Sequence, residues 1–447
     1  MVDPQRDAWR FLAAADVRGW RIRAVLETHV HNDYASGAHE IRAATGARLI
    51  VPARGRYAFS HDPADEGHEV QVGDLTITAR ATPGHSPEHL AWEVQRAGAE
   101  APGAVFTGGS LLVGAAGRSD LLGADLAEDL AREQFRSIQR LSALPDAVAV
   151  LPTHGAGSFC VSGASGDGSV TSTMQRERFA NPAVWGSDED AFVRGHLTGL
   201  AAFPAYYRHM APLNRAGAPV LGSAPPLARL TLDEAGRAAA AGAWVVDARD
   251  RHAFAAGHIA GAINVELGDS FGGYVGWVVP IDAPIVLVLP EPTDHSGATA
   301  ATQLLRIGFD RVIGAVDGGF EAWSAAGRPT RTYGTATMAD LHRARSTRGD
   351  AVPVLDVRQP EEWRTTPAVP DAQRIFVGYL LDRMDEVATD GEVWVHCATG
   401  YRAALAASLL DRAGITVRLV ASGGGEDWAR LEGRTGAGSA GTAGTAG

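Results

Sequence analysis

Two similar segments in the C-terminal half of the sequence most constrain what this chain can fold into. The first opens with the apolar stretch 243–249 and the second, about 110 residues later, with 352–358, and both stretches end in Asp-x-Arg. Each segment continues through a second apolar stretch, 285–289 or 393–396, to an Ala- and Leu-rich helix. Each closes with consecutive glycines followed by a tryptophan. This shared order predicts an internal duplication of one strand–helix unit.

The length of 447 residues exceeds what one hydrophobic core usually holds, so the chain is expected to fold as several domains. Several prolines and glycines in 213–227 are typical of a linker. The tail 433–447 is almost entirely Gly, Ala, Thr and Ser, a composition that predicts disorder. The predicted domains are 1–212, 228–332 and 333–432.

Composition and charge exclude several classes of function. The formal net charge of −12 argues against a nucleic-acid partner, because phosphate binding needs a basic face. We find no apolar run of about 18 residues, so no membrane span is expected, and the polar N-terminus does not resemble a signal peptide. Two distant cysteines, Cys160 and Cys397, are too few for a secreted disulfide framework and favour the cytoplasm. The sequence leaves open whether the protein forms a homo-oligomer.

Histidines follow three of the predicted strands in the N-terminal third of the chain. His29 and His31 come directly after the stretch 23–26, His85 follows 75–79, and His154 follows 148–151. Loops at the C-terminal ends of strands gather at one edge of an α/β sheet, and imidazole is a common ligand of zinc and iron. The sequence therefore predicts a metal site at this edge.

These segments resemble the metallo-β-lactamase superfamily and, within it, the branch of persulfide dioxygenases and glyoxalase II-like hydrolases. The matching stretches are 27–37, 82–86, 105–112, 117–120 and 152–158. The resemblance implies an αββα sandwich in an α/β multidomain protein. Relatives have additional strands before the segment that starts here at Val2, so one edge of the sandwich is expected to be incomplete.

Two departures from the superfamily pattern change the metal site that the resemblance implies. The last histidine of the His-x-His-x-Asp-His motif is Tyr34, and the metal-binding aspartate after Phe-Thr-Gly is Gly109. A dinuclear site loses ligands at both positions, which leaves one metal ion, iron or zinc. Its predicted ligands are His29, His31 and His85. Two further side chains are expected to form a second site or to support the ligands: Asp33 and His154.

Cys397 lies between the apolar stretch 393–396 and an Ala-rich helix. At such a turn, backbone N–H groups and the helix dipole stabilise a thiolate or a persulfide. Gly400 permits the tight turn, and Arg402 can add positive charge at its rim. The residues predicted to surround a persulfide are Ala398, Thr399, Gly400 and Tyr401.

This loop, together with Asp-x-Arg and the Gly-Gly-Gly…Trp segment, resembles the rhodanese family. The resemblance implies an α/β domain with a central parallel sheet and sulfane-sulfur transfer through Cys397 with Arg402. The first copy resembles the same family through 257–262, but no cysteine occurs between 161 and 396. We therefore expect the first copy to be a structural or docking module.

Three functions stay open at this point. The first is a sulfur-metabolism enzyme whose metal domain acts on a low-molecular-weight persulfide, such as glutathione persulfide, while Cys397 exchanges sulfane sulfur with the same pool. The second is a zinc thioester hydrolase of the glyoxalase II type with a rhodanese appendage. The third is a non-catalytic sulfur sensor or scaffold, suggested by Tyr34, Gly109 and the first copy without cysteine.

Overall fold

The computed structural model describes residues 1–155, 158–162, 169–186, 188–291, 293–348 and 352–433. These residues form two compact units. The first comprises Met1–Pro226, Val279–Asp282 and Ala301–Asp310, and the second comprises Leu227–Val278, Ala283–Ala300 and the described residues from Arg311 onward. The predicted domain boundaries stay predictions. A helix occupies the first four residues of the predicted linker, and the predicted tail lies outside the described residues apart from Gly433.

The first unit combines short strands with seven helices among its described residues. Its strands are β1 (Ala24–Leu26), β2 (Arg48–Pro52), β3 (Asp62–Ala64), β4 (Glu69–Val72), β5 (Leu75–Ala81), β6 (Leu90–Arg96), β7 (Ala104–Gly108), β8 (Leu111–Leu112), β9 (Ala115–Gly117), β10 (Ala149–Pro152), β11 (Val161–Ser162) and β12 (Ser172–Thr173). Its helices are α1 (Trp9–Val17), α2 (Ala38–Thr45), α3 (Ala124–Ser142), α4 (Met174–Ala180), α5 (Pro182–Trp185), α6 (Glu189–Leu197) and α7 (Tyr207–Ala216).

Two sheets of the first unit share one core. One is the parallel sheet β1-β2-β3, and the other is the mixed sheet β12-β10-β7-β6-β5-β4. Leu26 of β1 and Trp92 of β6 belong to the same buried cluster, so the inner faces of the sheets pack on each other. Because side chains alternate along a strand, the neighbouring Val25 faces the other way and packs with Ile41 of α2.

The other outer face is covered in the same manner. Ala91, which precedes Trp92 in β6, packs with Ile138 of α3. The order helix, sheet, sheet, helix confirms the predicted αββα sandwich. At its N-terminal edge, Val2 forms a parallel bridge with Leu26, so the first residues of the chain extend the sheet beyond β1.

The second unit contains the two copies of the duplication. Its strands are β13 (Arg229–Leu230), β14 (Trp244–Asp247), β15 (His258–Ile259), β16 (Ile263–Asn264), β17 (Ile285–Val288), β18 (Val312–Val316), β19 (Thr330–Arg331), β20 (Gly334–Thr337), β21 (Val354–Asp356), β22 (Gln373–Arg374), β23 (Val393–His396) and β24 (Val417–Ser422). Its helices are α8 (Leu232–Ala240), α9 (Arg251–Ala256), α10 (Phe271–Val278), α11 (Thr293–Arg306, whose last six residues belong to the first unit), α12 (Gly319–Ala325), α13 (Met338–Arg348), α14 (Pro360–Thr365), α15 (Tyr401–Arg412) and α16 (Gly425–Leu431).

Each copy forms a five-stranded parallel sheet, and the strand orders are equivalent. The first copy has the order β13-β18-β17-β14-β16 and the second has β20-β24-β23-β21-β22. In both copies the aspartate of Asp-x-Arg is buried and bonds the arginine two residues later, as Asp247 with Arg249 and Asp356 with Arg358. The predicted duplication and its parallel sheets are confirmed. Among the described residues, no helix combines the length and the apolar character that crossing a membrane requires.

Candidate functional site

Four buried histidines lie together at one edge of the first unit. His29 and His31 follow β1, His85 follows β5 and His154 follows β10, and each is at most 3% exposed. The ring centroid of His29 is 5.0 Å from that of His85 and 5.3 Å from that of His154. The centroids of His85 and His154 are 5.4 Å apart. Three separate loops therefore bring imidazoles to one point, as the strand pattern predicted.

The hydrogen bonds of His29 fix which of its nitrogens carries a proton. Thr28 Oγ1 donates its proton to Asp3 Oδ2 at 2.7 Å. The same hydroxyl lies 2.7 Å from His29 Nδ1 and can only accept there, so Nδ1 carries the proton. The lone pair of His29 is consequently on Nε2.

His85 and His154 are oriented in the same way. His85 Nδ1 donates to the carbonyl of Arg118 at 2.8 Å, and its buried Nε2 has no hydrogen-bond partner. His154 Nδ1 lies 3.0 Å from Asp33 Oδ2, which as a carboxylate only accepts, so the lone pair of His154 is also on Nε2. His154 Nε2 lies 3.4 Å from His29 Nε2.

Three lone pairs that converge in a buried place suit a cation. Ligand atoms of His29, His85 and His154 all lie within 4.8 Å of one another. Burial, reinforced by the neighbouring imidazoles, lowers the pKa of His29 well below its ordinary value, and burial lowers the pKa of His85 to about 3. Neutral imidazoles whose other N–H is held by a carbonyl or a carboxylate are the usual form of histidine ligands. The donor set therefore fits one transition-metal ion.

His31 lies in the same cluster and is oriented by carboxylates. Its ring centroid is 4.3 Å from that of His29, and its Nε2 lies 2.8 Å from Glu27 Oε2 and 3.4 Å from Asp3 Oδ1. Carboxylates only accept, so Nε2 carries a proton. The buried Nδ1 of His31 has no hydrogen-bond partner, so His31 stays a candidate ligand through Nδ1.

Among the described residues, the ligand atoms that could hold an ion fall into overlapping groups. One is His29, His85 and His154, and the others combine His31 with Asp3 and His29, or with Asp33 and His154. No such group of described residues contains His29, His31 and His85 together. The predicted ligand set stays a prediction, and His154, which the sequence placed in a supporting role, is a further candidate ligand.

Tyr34 fills the position of the missing motif histidine with a structural contact. Its ring stacks on His31 at a centroid distance of 4.4 Å, and its hydroxyl donates to the carbonyl of Asp3 at 3.1 Å. Burial raises the pKa of Tyr34 well above its ordinary value, so this hydroxyl stays neutral. Tyr34 therefore supports His31 and supplies no charged ligand.

Gly109 leaves no carboxylate at the centre, and the space beside it is taken. A side chain at this position would collide with the ring of His85 as it lies in the structure. The N–H of Gly109 donates to His89 Nε2 at 2.9 Å, and His89 Nδ1 lies 2.8 Å from Thr82 Oγ1. Both nitrogens of His89 are engaged, so this fifth histidine of the cluster, which the sequence analysis missed, is not free to bind an ion.

Asp3 and Glu27 are further residues that sequence reasoning missed. Asp3 accepts hydrogen bonds from the backbone N–H and the hydroxyl of Thr28, both at 2.7 Å, and so orients His29 through that hydroxyl. Glu27 accepts from His31 and from Ser36. The signal for Glu27 was its place at the end of β1, whereas Asp3 gave no signal because it reaches the site only through the fold.

A small pocket of about 10 Å³ adjoins the histidines, which is room for about one water molecule. Its walls combine Glu27, His29 and His31 with an aromatic group formed by His39, Tyr57 and Phe59.

Cys397 lies where the sequence places it, between β23 and α15. Gly400 adopts φ +98°, which a side chain would strain, and its N–H donates to Cys397 Sγ at 3.1 Å. Cys397 is 0% exposed, whereas Ala398 and Thr399 are exposed. The predicted loop therefore surrounds a covered sulfur that receives one backbone N–H.

Two arginines lie near this sulfur, and the sequence analysis identified one of them. Arg402 forms a two-bond pair with Glu362. Burial alone would lower the pKa of Arg402, but these bonds and the charge of Cys397 raise it. Arg251 belongs to the first copy, and the charge of Cys397 contributes to raising its pKa as well. Arg251, like Arg402, is paired with a carboxylate, that of Glu266.

The other cysteine is enclosed in the first unit. Cys160 is 0% exposed, and its Sγ lies 3.6 Å from the hydroxyl of Tyr207. Burial raises the pKa of its thiol well above the ordinary value. This environment is typical of a packing role.

Family comparisons agree with these two centres. Residues 2–154 match the family model of the metallo-β-lactamase superfamily, and residues 231–326 and 338–431 each match that of the rhodanese-like domain. This chain is a metallo-β-lactamase-superfamily domain joined to two rhodanese-like domains. Both matches indicate an enzyme.

Individual relatives cover different parts of the chain. A hydroxyacylglutathione hydrolase from Methylobacillus flagellatus is 31% identical over 147 residues, which is 32% of this chain and 53% of that protein. The chain thus spans about half the length of the curated relatives it matches. A metallo-β-lactamase structure from Staphylococcus aureus shares 28% identity and a TM-score of 0.62 over 70% of this chain and 90% of that one. The structure of ETHE1 from Myxococcus xanthus shares 27% identity, with a TM-score of 0.41, over 48% of this chain and 86% of that one.

Proposed function

We propose that this protein is a sulfur-metabolism enzyme that acts on low-molecular-weight persulfides, such as glutathione persulfide, at two centres. Its rhodanese-like part transfers sulfane sulfur through Cys397. Its metallo-β-lactamase-like part oxidises a persulfide at one metal ion. The observation that carries the proposal is the hydrogen bond from Gly400 N–H to Cys397 Sγ at a strand-to-helix turn.

The transfer at Cys397 balances without an external oxidant. The Cys397 thiolate attacks the terminal sulfur of a persulfide R–S–SH, a new S–S bond forms on Cys397, and R–S⁻ leaves with the electron pair of the broken bond. The enzyme then carries Cys–S–SH, and an acceptor thiolate or cyanide takes the terminal sulfur and restores the Cys397 thiolate. The N–H of Gly400 and the guanidinium of Arg402 stabilise the negative charge on sulfur in both steps.

Access to Cys397 requires movement of its surroundings. Because the residue is 0% exposed, a donor reaches the sulfur only after the covering side chains shift. Ala398 and Thr399 form the part of the loop that faces solvent.

At the other centre, His29, His85 and His154 would hold the metal ion. Such an ion, iron in this proposal, would supply the binding and activation of a thiolate-type sulfur and of dioxygen. Overall, a persulfide, dioxygen and water give a thiol, sulfite and two protons, and dioxygen is the oxidant. Thr28, Asp33 and the Arg118 carbonyl orient the three imidazoles.

A second candidate is a zinc-dependent thioester hydrolase. The observation that favours it is the 31% identity to a hydroxyacylglutathione hydrolase over residues of the metal domain. Zinc binds the same imidazole donors and activates water. The absence of a carboxylate at Gly109 weakens this candidate, because it removes the bridging ligand of a two-metal site.

Two measurements on the full-length protein test the proposal. Intact mass after exposure to a persulfide donor should show one added sulfur in the wild type and in Cys160→Ser, but none in Cys397→Ser. Equal sulfur loading of the wild type and Cys397→Ser would refute the transfer. Elemental analysis followed by oxygen uptake with glutathione persulfide tests the metal centre, and zinc content with turnover of an acylated glutathione would establish the hydrolase instead.

A further inference from the structure

The first rhodanese-like copy has no cysteine, yet it contacts the cysteine loop of the second copy. Arg251, the first residue of α9, donates from Nη1 to the carbonyl of Thr399 at 2.9 Å and to the carbonyl of Ala421 at 3.3 Å. Both copies belong to the same compact unit. A residue of the copy without cysteine therefore bonds directly to the loop that surrounds Cys397.

The bonded carbonyl has a specific relation to the sulfur. The carbonyl of Thr399 and the N–H of Gly400 belong to one peptide group, which is planar and, in its trans form, points them in opposite directions. Arg251 holds the oxygen end of this group, and Cys397 Sγ accepts from the hydrogen end at 3.1 Å. A cation at the oxygen polarises the peptide and makes its N–H a stronger donor.

The first copy also fixes the arginine and the next residue of the loop. Glu266 accepts from Arg251 Nε at 2.7 Å and pairs with its Nη2, so the guanidinium cannot swing away freely. The backbone carbonyl of Glu266 accepts from the hydroxyl of Tyr401 at 2.9 Å. The Gly400 peptide is thus held on both sides, at Thr399 and at Tyr401, by residues of the first copy.

No side chain larger than hydrogen fits between these parts. A methyl group on Gly400 would collide with Arg251 Nη1 and with the carbonyl of Ala421. The guanidinium is therefore packed against the peptide that faces the sulfur.

We infer that the first rhodanese-like copy serves as a positioning module, in which Arg251 orients and polarises the Thr399–Gly400 peptide so that its N–H stabilises a thiolate or persulfide on Cys397. This inference rests on the proposed role of Cys397 as the sulfur carrier. It goes beyond the structural or docking role expected from the sequence. Arg251 is a positioning residue, because it acts on the sulfur through the peptide.

Other charged and titratable groups face Cys397 and must be held constant in a test. Those of the second copy are Arg402 with its partner Glu362, and Tyr401; those of the first copy are Arg251 with its partner Glu266, and Tyr274. The informative change therefore alters Arg251 alone. The matched control is Arg412, which also joins the two copies, by donating to the carbonyl of Gly261 at 3.1 Å, but has no bond to the cysteine loop.

The experiment titrates the thiolate of the full-length protein by its ultraviolet absorbance, with the Cys397→Ser variant subtracted. This readout needs no reagent to reach the covered sulfur and no sulfur donor. Arg251→Gln should move the midpoint upward by about one pH unit, which is about tenfold less thiolate below the midpoint. Arg251→Lys keeps the positive charge and should shift the midpoint less than Arg251→Gln does. Arg412→Gln should leave the midpoint at the wild-type value.

Two results would overturn the inference. One is an Arg251→Gln midpoint equal to that of the wild type, and the other is an equal shift in Arg412→Gln, which would reduce the effect to general loosening of the contact between the copies. If Arg251→Gln does not fold, Arg251→Met, which also removes the cation, is judged by the same criterion. A wild type that gains no sulfur in the mass experiment removes the proposed transfer, whereas the titration still decides the role of Arg251.

Discussion

The choice of the third metal ligand, His154 or His31, can be decided by replacing each with alanine and measuring zinc affinity. In the structure the lone pair of His154 points at that of His29, with 3.4 Å between the two Nε2 atoms. The Nε2 of His31 lies 2.8 Å from Glu27, and no group of ligand atoms within 4.8 Å of one another among the described residues combines His31 with both His29 and His85. We therefore expect His154→Ala to remove a ligand and His31→Ala to leave the three ligands in place.

The magnitude follows from the number of ligands. Four-ligand zinc sites bind with apparent free energies of about 10–16 kcal/mol, so one ligand contributes about 3 kcal/mol. That value corresponds to a dissociation constant about a hundredfold larger for His154→Ala than for the wild type. For His31→Ala we expect a smaller change, near the lower end of the about 10–100-fold that loss of an outer contact typically costs.

The assay is competition for zinc between the protein and a chromophoric chelator, with metal-free thermal unfolding as a check on each variant. The check matters because His31→Ala leaves Glu27 and Asp3 without their shared partner and should lower the unfolding temperature. His61→Ala, outside the cluster, serves as the histidine control and should bind like the wild type. If His31→Ala weakened zinc binding as much as His154→Ala or more, the assignment of ligands from lone-pair directions would be refuted.

Three further predictions concern single residues at the two centres. Asp33→Asn removes the charge that holds His154 Nδ1 and should raise the zinc dissociation constant about 10–100-fold in the same competition assay; unchanged affinity would contradict the orienting role. Gly414 has φ +83° and open space around it, so Gly414→Ala should cost about 1–2 kcal/mol of unfolding free energy, measured in urea. Gly400→Ala should cost more, because its methyl group also collides with the backbone. Equal costs would argue against close packing around Gly400. Burial alone would raise the pKa of Glu362, but its bonds to Arg402 lower it below the ordinary 4.5. The pair therefore stabilises the fold above pH 4.5, and this contribution is lost as pH falls below that value. Glu362→Gln should flatten this part of the profile of unfolding temperature against pH, and an unchanged profile would exclude the pair as its cause.

The convergence of His29, His85 and His154 could be predicted from the sequence because it depends on local patterns. His85 and His154 follow β5 and β10 of the mixed sheet, and His29 follows β1 of the sheet packed against it, so each histidine lies just past the end of a strand. The choice between His31 and His154 could not be predicted in this way. It depends on Asp3, which reaches Thr28 across 25 residues of sequence and pairs with His31 only in the folded chain.

At the cysteine site, too, one part could be predicted from the sequence and another part could not. The turn that holds Cys397 and Gly400 is contiguous in sequence, so a strand, a cysteine, a glycine and a helix start predicted it. The bond from Arg251 to Thr399 spans 148 residues and joins two copies of the fold. In the sequence Arg251 is only an arginine at the start of α9, and nothing local indicates a partner in the other copy.

The register of the two sheets shows which residue of the first copy corresponds to Cys397 of the second. In the first copy, Asp247 pairs with the last residue of β17, and the next residue is Leu289; in the second, Asp356 pairs with the last residue of β23, and the next residue is Cys397. Leu289 therefore occupies the position of the thiol.

The same register compares the residues four positions after each aspartate. Arg251 of the first copy corresponds to Pro360 of the second, and a proline has no side-chain donor for a loop carbonyl. The second copy thus contains the sulfur and the first contains the cation that holds the peptide facing it. Since neither copy contains both groups, a substitution at Arg251 should act on the chemistry of Cys397.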